Sequence, residues 1–409
     1  MQVEIDKCCD IKTTKIIYSN NEQLPYHLQR ALKKIAKEEG YVSYDITSRE
    51  ISTAGGNYMA LLYEADIKGE TRVGRKETNL FIKCAITAEK LKIIDITDLY
   101  TKELFYYTDL SKVYNDLEEQ AAVPLEERYK SVKSYNGSTN EAIILENLTK
   151  DDFTTIYRMN VMPLKFAELS VQQLAKFHSL NMVIELKMPE YFERNLKNLK
   201  YSIEFNDTFA SMLHKFYECS ASMLDCETRN KLDKQLPEHI ENYQRYLAGD
   251  KTEVKCLCHG DYRMNNILMK MKDNIVTEVI PVDYQLMFYG SPIIDFLYFI
   301  YGGTDKEFRS KYMNHLKEMY FKTMEGYLRY FNVDINAVYP RKTFDKDYEN
   351  CLEYGFQVTL FFGPINFTDE NEIPDFHNNS VEELNINANY LFEGRLRGAI
   401  DEMIELGKL

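Results

Sequence analysis

Tryptophan is absent from the 409 residues, and chain breakers are scarce, with 17 glycines and 10 prolines. Beside a hydrophobic fraction of 44% and a charged fraction of 28%, that scarcity excludes collagen-like, low-complexity and disordered chains. No apolar run approaches the ~20 residues of a membrane span. The opening MQVEIDKCCDIK has acids and lysines where a secretory leader needs a basic and then a long apolar segment. A cytoplasmic protein without a membrane partner is expected. Basic residues are outnumbered, 50 Lys and Arg against 64 Asp and Glu, for a net charge of -14. Such a field repels phosphate backbones and anionic lipid, so nucleic acid is not an expected partner; a local basic pocket for a small anion stays compatible with it.

Paired CxxC knuckles are also missing. The cysteines at 8, 9, 84, 219, 226, 256, 258 and 351 are too sparse for a disulfide scaffold. Cys256, Cys258 and His259 are close in sequence, but Cys256 and Cys258 alternate along a strand and would share one face only with each other. Reduced, mostly buried thiols are expected there rather than zinc.

What is present is enough chain for two or three compact units, with no fixed-period repeat. Leu24, Leu28, Leu32 and Ile35 recur at helical spacing within an N-terminal helical extension of about residues 1–40. After Gly40 the texture turns to alternation: DITSREIS, YMALLYEADI and NLFIKCAI predict three antiparallel strands. A helix over 98–107 and strands near 130–135 and 142–145 follow. Beyond Glu146 the chain reads as mainly helical, with helices over 169–180, between 191 and 247, over 305–331 and over 348–362. The exception is 255–286, where short apolar strands flank turns rich in Asp and Asn. Polar residues massed at strand ends usually do chemistry.

His259-Gly260-Asp261 is followed at a fifth offset by Asn266, and Asp283 ends the apolar strand over 279–282. The first four positions coincide by chance in roughly one chain of this length in four hundred, so the set is read as functional rather than as turn-capping Asx residues. Phosphoryl transfer requires a carboxylate to orient and deprotonate the acceptor and two oxygen ligands for Mg²⁺. Asp261 fits the base; Asn266 and Asp283 fit the metal. Arg263 would stabilise the γ-phosphoryl oxygens, or be a structurally paired arginine. His259 is expected to shape the loop by hydrogen bonds rather than carry protons.

A kinase also needs a lysine for the α/β-phosphates and a helix glutamate to hold it. Lys83 is the only charge in its apolar strand, and Glu103 on the next predicted helix is its natural partner; an edge-strand or snorkelling lysine is the bland alternative. Gly55, Gly56 and Asn57, between the first two strands, would approach the phosphates with backbone N–H groups. Glu146, Asn147 and Leu148 would form a hinge at 146–149 against which adenine binds. That hinge divides a nucleotide-binding lobe, 1–145, from a catalytic and acceptor-binding lobe, 150–409. Only seven residues separate Asp283 from Gly290, too few for a protein kinase activation segment. Instead Ser291 and Pro292 open a helix carrying Asp295, which braces the loop or serves the helix dipole.

HGDYRMNNILMK, VIPVDYQLMFYGSPIIDFLYFIY, LAKFHSLNMVI, IILENL and Tyr100-x-x-Glu103-x-x-x-Tyr107 resemble blocks of the ecdysteroid kinase-like (CHK kinase-like) group within the aminoglycoside phosphotransferase and choline kinase superfamily. Arg263 departs from it, since the family usually has an aromatic there. The resemblance implies an α+β, bilobal protein kinase-like fold. Its N-lobe would be an antiparallel sheet with helices and its C-lobe mainly helical. ATP, Mg²⁺ and a small-molecule hydroxyl acceptor are implied with it. Ecdysteroids are the family's named substrates, with detoxification among its roles. Aromatic enrichment of the helical half, including Tyr354, Phe361 and Phe362, suits a steroid-like acceptor, with two or three rings lining a pocket. A choline- or aminoglycoside-type kinase and a catalytically silent binding protein remain alternatives, the former weakened by the missing tryptophan. A monomer or weak dimer is expected.

Overall fold

The computed structural model describes residues 16–18, 24–51, 60–85, 93–374 and 379–409. One sheet dominates the first lobe. Its strands β1 (Ile16–Tyr18), β2 (Tyr41–Ile51), β3 (Ala60–Thr71), β4 (Gly74–Ala85) and β5 (Ala142–Glu146) lie in chain order. All neighbours are antiparallel except β1 and β2. The opening segment is therefore not helical throughout: β1 precedes α1 (Tyr26–Glu38), which follows Pro25 and buries Leu28, Leu32 and Ile35 with Ile46, Ile67, Leu80 and Ile144. Each such aliphatic side chain is worth roughly 1.5–3 kcal/mol against exposure.

Alternation along β5 decides how the lobes join. Ala142 and Ile144 belong to the α1 core, whereas Ile143 and Leu145 join the large core that runs through the rest of the molecule. On that second face lie α2 (Ile96–Phe105) and α3 (Ser111–Gln120), continuous through a π turn at Tyr106–Leu110. Asp95 starts α2, its carboxylate accepting the Thr97 and Asp98 N–H groups at 2.9 and 3.2 Å. The strand expected near 130–135 is not one. Val132 and Tyr135, three positions apart, are buried, but the segment meets β5 only at Ser134 opposite Leu145 and through two flanking bonds, Tyr135 N–H to Ile144 O and Glu146 N–H to Lys133 O.

The second lobe is built on α4 (Leu164–Lys187), buried on almost every side. β6 (Phe153–Thr154) precedes it, and α5 (Pro189–Asn195), α6 (Asp207–Ala221) and α7 (Cys226–Leu247) follow. The strand-and-turn insert then supplies β7 (Cys256–Cys258), β8 (Ile267–Lys272), β9 (Ile275–Pro281) and β10 (Phe288–Gly290). These form a three-stranded sheet, β6-β8-β9, and a β10-β7 pair. The helices α8 (Pro292–Gly303), α9 (Lys306–Tyr330), α10 (Ile335–Val338), α11 (Arg341–Gln357), α12 (Gly363–Asn366) and α13 (Leu391–Glu405) complete it. The fold is α+β and bilobal, a largely antiparallel sheet with helices followed by a mainly helical lobe. No described helix is long and apolar enough to cross a membrane.

Candidate active site

The loop from β7 to β8 is shaped by one glycine and one buried carboxylate. Gly260 has φ +82°, and a Cβ there would lie 2.1 Å from the Leu286 carbonyl oxygen, so no other residue fits without displacing backbone. Asp295, in the first turn of α8, accepts the His259 N–H at 2.6 Å and the Gly260 N–H at 3.0 Å. His178 Nε2 meets the same carboxylate at 3.1 Å, and its Nδ1 meets the Tyr320 hydroxyl at 2.6 Å. His259 Nε2 faces the Val282 carbonyl at 3.2 Å, which can only accept, so the proton sits there and Nδ1 receives the Asp261 N–H at 3.4 Å. Burial lowers the His259 imidazole below its ordinary value against the pull of the Asp295, Asp261 and Asp283 carboxylates. The ring is a neutral spacer between two strands' loops.

Asp261 and Asn266 are held together as a unit. The Asn266 amide nitrogen donates to the Asp261 carbonyl at 3.0 Å and to its Oδ2 at 2.7 Å. Arg263 Nε lies 3.3 Å from Oδ2, which makes Arg263 a partner of Asp261. Oδ1 accepts from the Tyr298 hydroxyl at 3.0 Å. After burial, the Asp261 charge adds to the upward push on the phenols of Tyr201, Tyr243 and Tyr298. Tyr243 in turn packs on Tyr354, Phe361 and Phe362 at 5.5, 6.1 and 5.7 Å between centroids. The last two rings ride on a second π turn, Val358–Phe362.

Lys83 comes to this loop from the other lobe. It is paired on both sides, with Leu62 of β3 and Ile143 of β5 opposite it, so it is not on a sheet edge. Its ammonium donates to Glu103 Oε2 at 2.8 Å, Asp283 Oδ1 at 2.7 Å and Gln285 Oε1 at 3.1 Å. The Lys83 and Glu103 side chains are only 6% and 2% exposed, against 23% for Asp283. Burial alone would lower the lysine; the Asp283 and Glu103 carboxylates outweigh it and hold it well above its ordinary value. The Glu103 carboxyl is raised by its burial, which the Lys83 charge opposes. Asp283 has φ +71°, a conformation costly for a residue with a Cβ and one that persists at sites where the surroundings enforce it. Tyr284 supplies the enforcement. Its ring stacks on Tyr106 of the first π turn and its hydroxyl meets that of Tyr129 at 2.7 Å.

The structure thus brings Lys83, Glu103 and Asp283 into one cluster and Asp261, Arg263 and Asn266 into another, joined by Val282 N–H to Asn266 O at 2.9 Å. Glu146, Asn147 and Leu148 lie where β5 leaves the sheet. The Asn147 N–H donates to Asn79 O at 3.0 Å, and its side chain accepts from Thr149. Gly55, Gly56 and Asn57 lie outside the described residues. Two residues escaped the sequence reading, Gln285 and Tyr298. Tyr298 had a signal, its i+3 spacing from Asp295 on one helix face. One expectation is corrected: Cys256 and Cys258 do not share their face with each other alone, because α4 brings His178 to them, the three ligand atoms lying within 4.8 Å. Both His178 nitrogens are already engaged, and burial raises both thiols above the ordinary cysteine value.

The model of the ecdysteroid kinase-like family matches residues 54–333. No curated protein matches the chain. Similar solved structures include the GDP complex of wild-type aminoglycoside 2′-phosphotransferase-IIIa, at 10% identity, with a TM-score of 0.41 over 93% of this chain and 100% of that one. Another is the microcompartment-associated aminopropanol kinase, at 9% identity and a TM-score of 0.39 over 93% and 98%. A third is an aminoglycoside phosphotransferase from Streptomyces rimosus ATCC10970 with ADP and streptomycin, at 10% identity and a TM-score of 0.26 over 80% and 99%.

Proposed function

The chain belongs to the ecdysteroid kinase-like family, and from that premise we propose that it is an ATP- and Mg²⁺-dependent O-kinase acting on a lipophilic alcohol, steroid-like in shape. The observation that carries the reading is the meeting of Lys83 Nζ and Asp283 Oδ1 at 2.7 Å across 200 residues of chain, next to the Asp261–Asn266 unit. A buried lysine held charged by two carboxylates is a costly arrangement for structure alone. It suits a group that must meet phosphate oxygens.

Asp261 accepts the proton of the acceptor hydroxyl as its oxygen bonds to the γ-phosphorus and the bond to the ADP oxygen breaks. Lys83 turns to the α/β-phosphates with Glu103 behind it, and Arg263 neutralises charge near the transferred group. The donors suited to a hard cation are all oxygens. The amide nitrogen of Asn266 is committed to Asp261, which leaves its carbonyl oxygen available, and Asp283 offers a partly exposed carboxylate. Asn266 and Asp283 would hold magnesium, which would supply positive charge against the phosphate oxygens. Gly55, Gly56 and Asn57 would cover the phosphates, and the Glu146–Leu148 backbone would meet the adenine.

The apolar acceptor rests on the aromatic character of this lobe: the Tyr298 hydroxyl meets Asp261, and Tyr243 packs on Tyr354 and Phe362, surroundings that favour a flat hydrophobic body over a polycationic sugar. The test is a mass-spectrometric screen of purified protein with Mg-ATP and pooled ecdysteroids, sterols, plant phenols, choline and aminoglycosides, with Asp261→Asn in parallel. A phosphorylated steroid that vanishes in the variant supports the whole reading. A phosphorylated choline or aminoglycoside overturns the acceptor class, and no product despite Mg-ATP binding favours a binding protein.

A further inference from the structure

Helix α8 presents two polar side chains to the same loop. Asp295 holds the backbone of His259 and Gly260, and three residues on, Tyr298 reaches the side chain of Asp261. On Asp261, Oδ2 accepts from the Asn266 amide and lies 3.3 Å from Arg263 Nε, and Oδ1 carries the Tyr298 hydroxyl at 3.0 Å. The amide and the guanidinium crowd the Oδ2 side, so an acceptor hydroxyl that gives its proton to Asp261 approaches Oδ1, where Tyr298 already sits.

We propose that Tyr298 is the placeholder of the acceptor site: its hydroxyl occupies the seat of the acceptor hydroxyl on Asp261 Oδ1 and so keeps water off the base until an acceptor displaces it. The inference rests on Asp261 being the base. The phenol is suited to the task because it stays protonated. Burial first, then the Asp261 charge, raise it well above the ordinary tyrosine value, so it acts as a donor and not as a competing anion. Its ring is half-buried. A water molecule at Oδ1 would be activated as the acceptor is. Its oxygen would bond to the γ-phosphorus, its proton would pass to Asp261, and ADP and inorganic phosphate would leave.

The experiment needs no identified acceptor. Release of inorganic phosphate from Mg-ATP is measured for the full chain, Tyr298→Phe and Asp261→Asn, with nucleotide affinity by calorimetry as the check on folding. The substitution to Phe keeps the ring and removes only the hydroxyl. Expected is a rise of about threefold or more in hydrolysis for Tyr298→Phe with unchanged nucleotide affinity, and a loss of hydrolysis for Asp261→Asn. Hydrolysis unchanged or lower in Tyr298→Phe, while Asp261→Asn abolishes it, overturns the placeholder and leaves the base standing. Hydrolysis unaffected by Asp261→Asn removes the base reading and the placeholder with it. Phosphate found on Tyr298 itself overturns the proposal in another way, since the tyrosine would then be an acceptor.

Discussion

Replacing Lys83 by methionine removes the charge that permits two carboxylates to share a nearly dry site. Glu103 is the one that suffers, being 2% exposed, whereas Asp283, at 23%, keeps some contact with water. Without the ammonium, the fold must either bury a carboxylate or protonate it, and it takes the cheaper course. Protonation of a carboxyl whose ordinary value is 4.5 costs about 1.36 kcal/mol for each pH unit above it, hence about 3.4 kcal/mol at pH 7, a ceiling from which the penalty that burial already imposes on the raised wild-type Glu103 is subtracted. That figure sits inside the roughly 3–5 kcal/mol expected for breaking one side of a buried ion pair.

The sign of the pH dependence follows. In the wild type, Lys83 is raised above its unfolded value of 10.5, so its stabilisation is complete below that pH and is lost only as pH rises through the folded value. In the variant, Glu103 is protonated in the folded state and ionised in the unfolded one, whereas in the wild type burial raises it only part of the way, so the deficit against wild type grows as pH climbs above that raised value. Hydrogen exchange of β4 and α2 amides, compared with wild type at equal pH, reads it directly. The ceiling of about 3.4 kcal/mol corresponds to at most roughly 300-fold faster exchange at pH 7, and the effect shrinks toward pH 6. Adding Glu103→Gln to Lys83→Met removes the carboxyl and should recover most of the loss. A deficit that is flat between pH 6 and 8, or a double variant no better than the single one, would refute the argument.

Asp295→Asn exchanges one acceptor oxygen for an amide NH₂ facing the N–H donors of His259 and Gly260 or the His178 ring. Each buried donor left without a partner costs about 1–3 kcal/mol; urea unfolding should show a loss of at least about 2 kcal/mol, with kinase activity falling further than nucleotide affinity. Gly260→Ala adds a Cβ 2.1 Å from the Leu286 carbonyl oxygen at φ +82°. Circular dichroism and a pull-down on immobilised nucleotide should find the fold weakened and the loop's activity lost, while Gly302→Ala, whose added Cβ meets nothing within 4 Å, should change little.

Much of this was legible in the residues, for identifiable reasons. The loop motif could be read because its members are within six positions and its geometry is local: a glycine that must turn, an Asp and an Asn that pair across the turn. Lys83 was legible by its cost, a lone charge in an apolar strand that something had to pay for, although the Asp283 that meets it is 200 residues away. Glu103 then followed from the next helix. The segment 130–135 was misread because an extended run with apolar residues reports burial, not pairing. Val132 and Tyr135 are buried three positions apart, but the ladder needs a partner strand, and β5 offers this segment only a bridge.

Tyr298 was missed for a different reason, and the reason shows how far such reading extends. A single tyrosine in FLYFIY, within a chain holding 31 of them, carries no signal of its own. Its meaning comes from Asp295 three positions earlier. Once Asp295 is read as the brace of the loop, the face of α8 that carries it must turn toward residues 259–261, and helical geometry puts residue 298 on that face about 4.5 Å further along the axis. The brace had been weighed against a helix-dipole role, and the two differ in what they imply: a dipole role leaves the next turn free, whereas a brace commits it. The two backbone bonds from His259 and Gly260 to Asp295 decide for the brace, and the Tyr298 bond to Asp261 is its consequence one turn on.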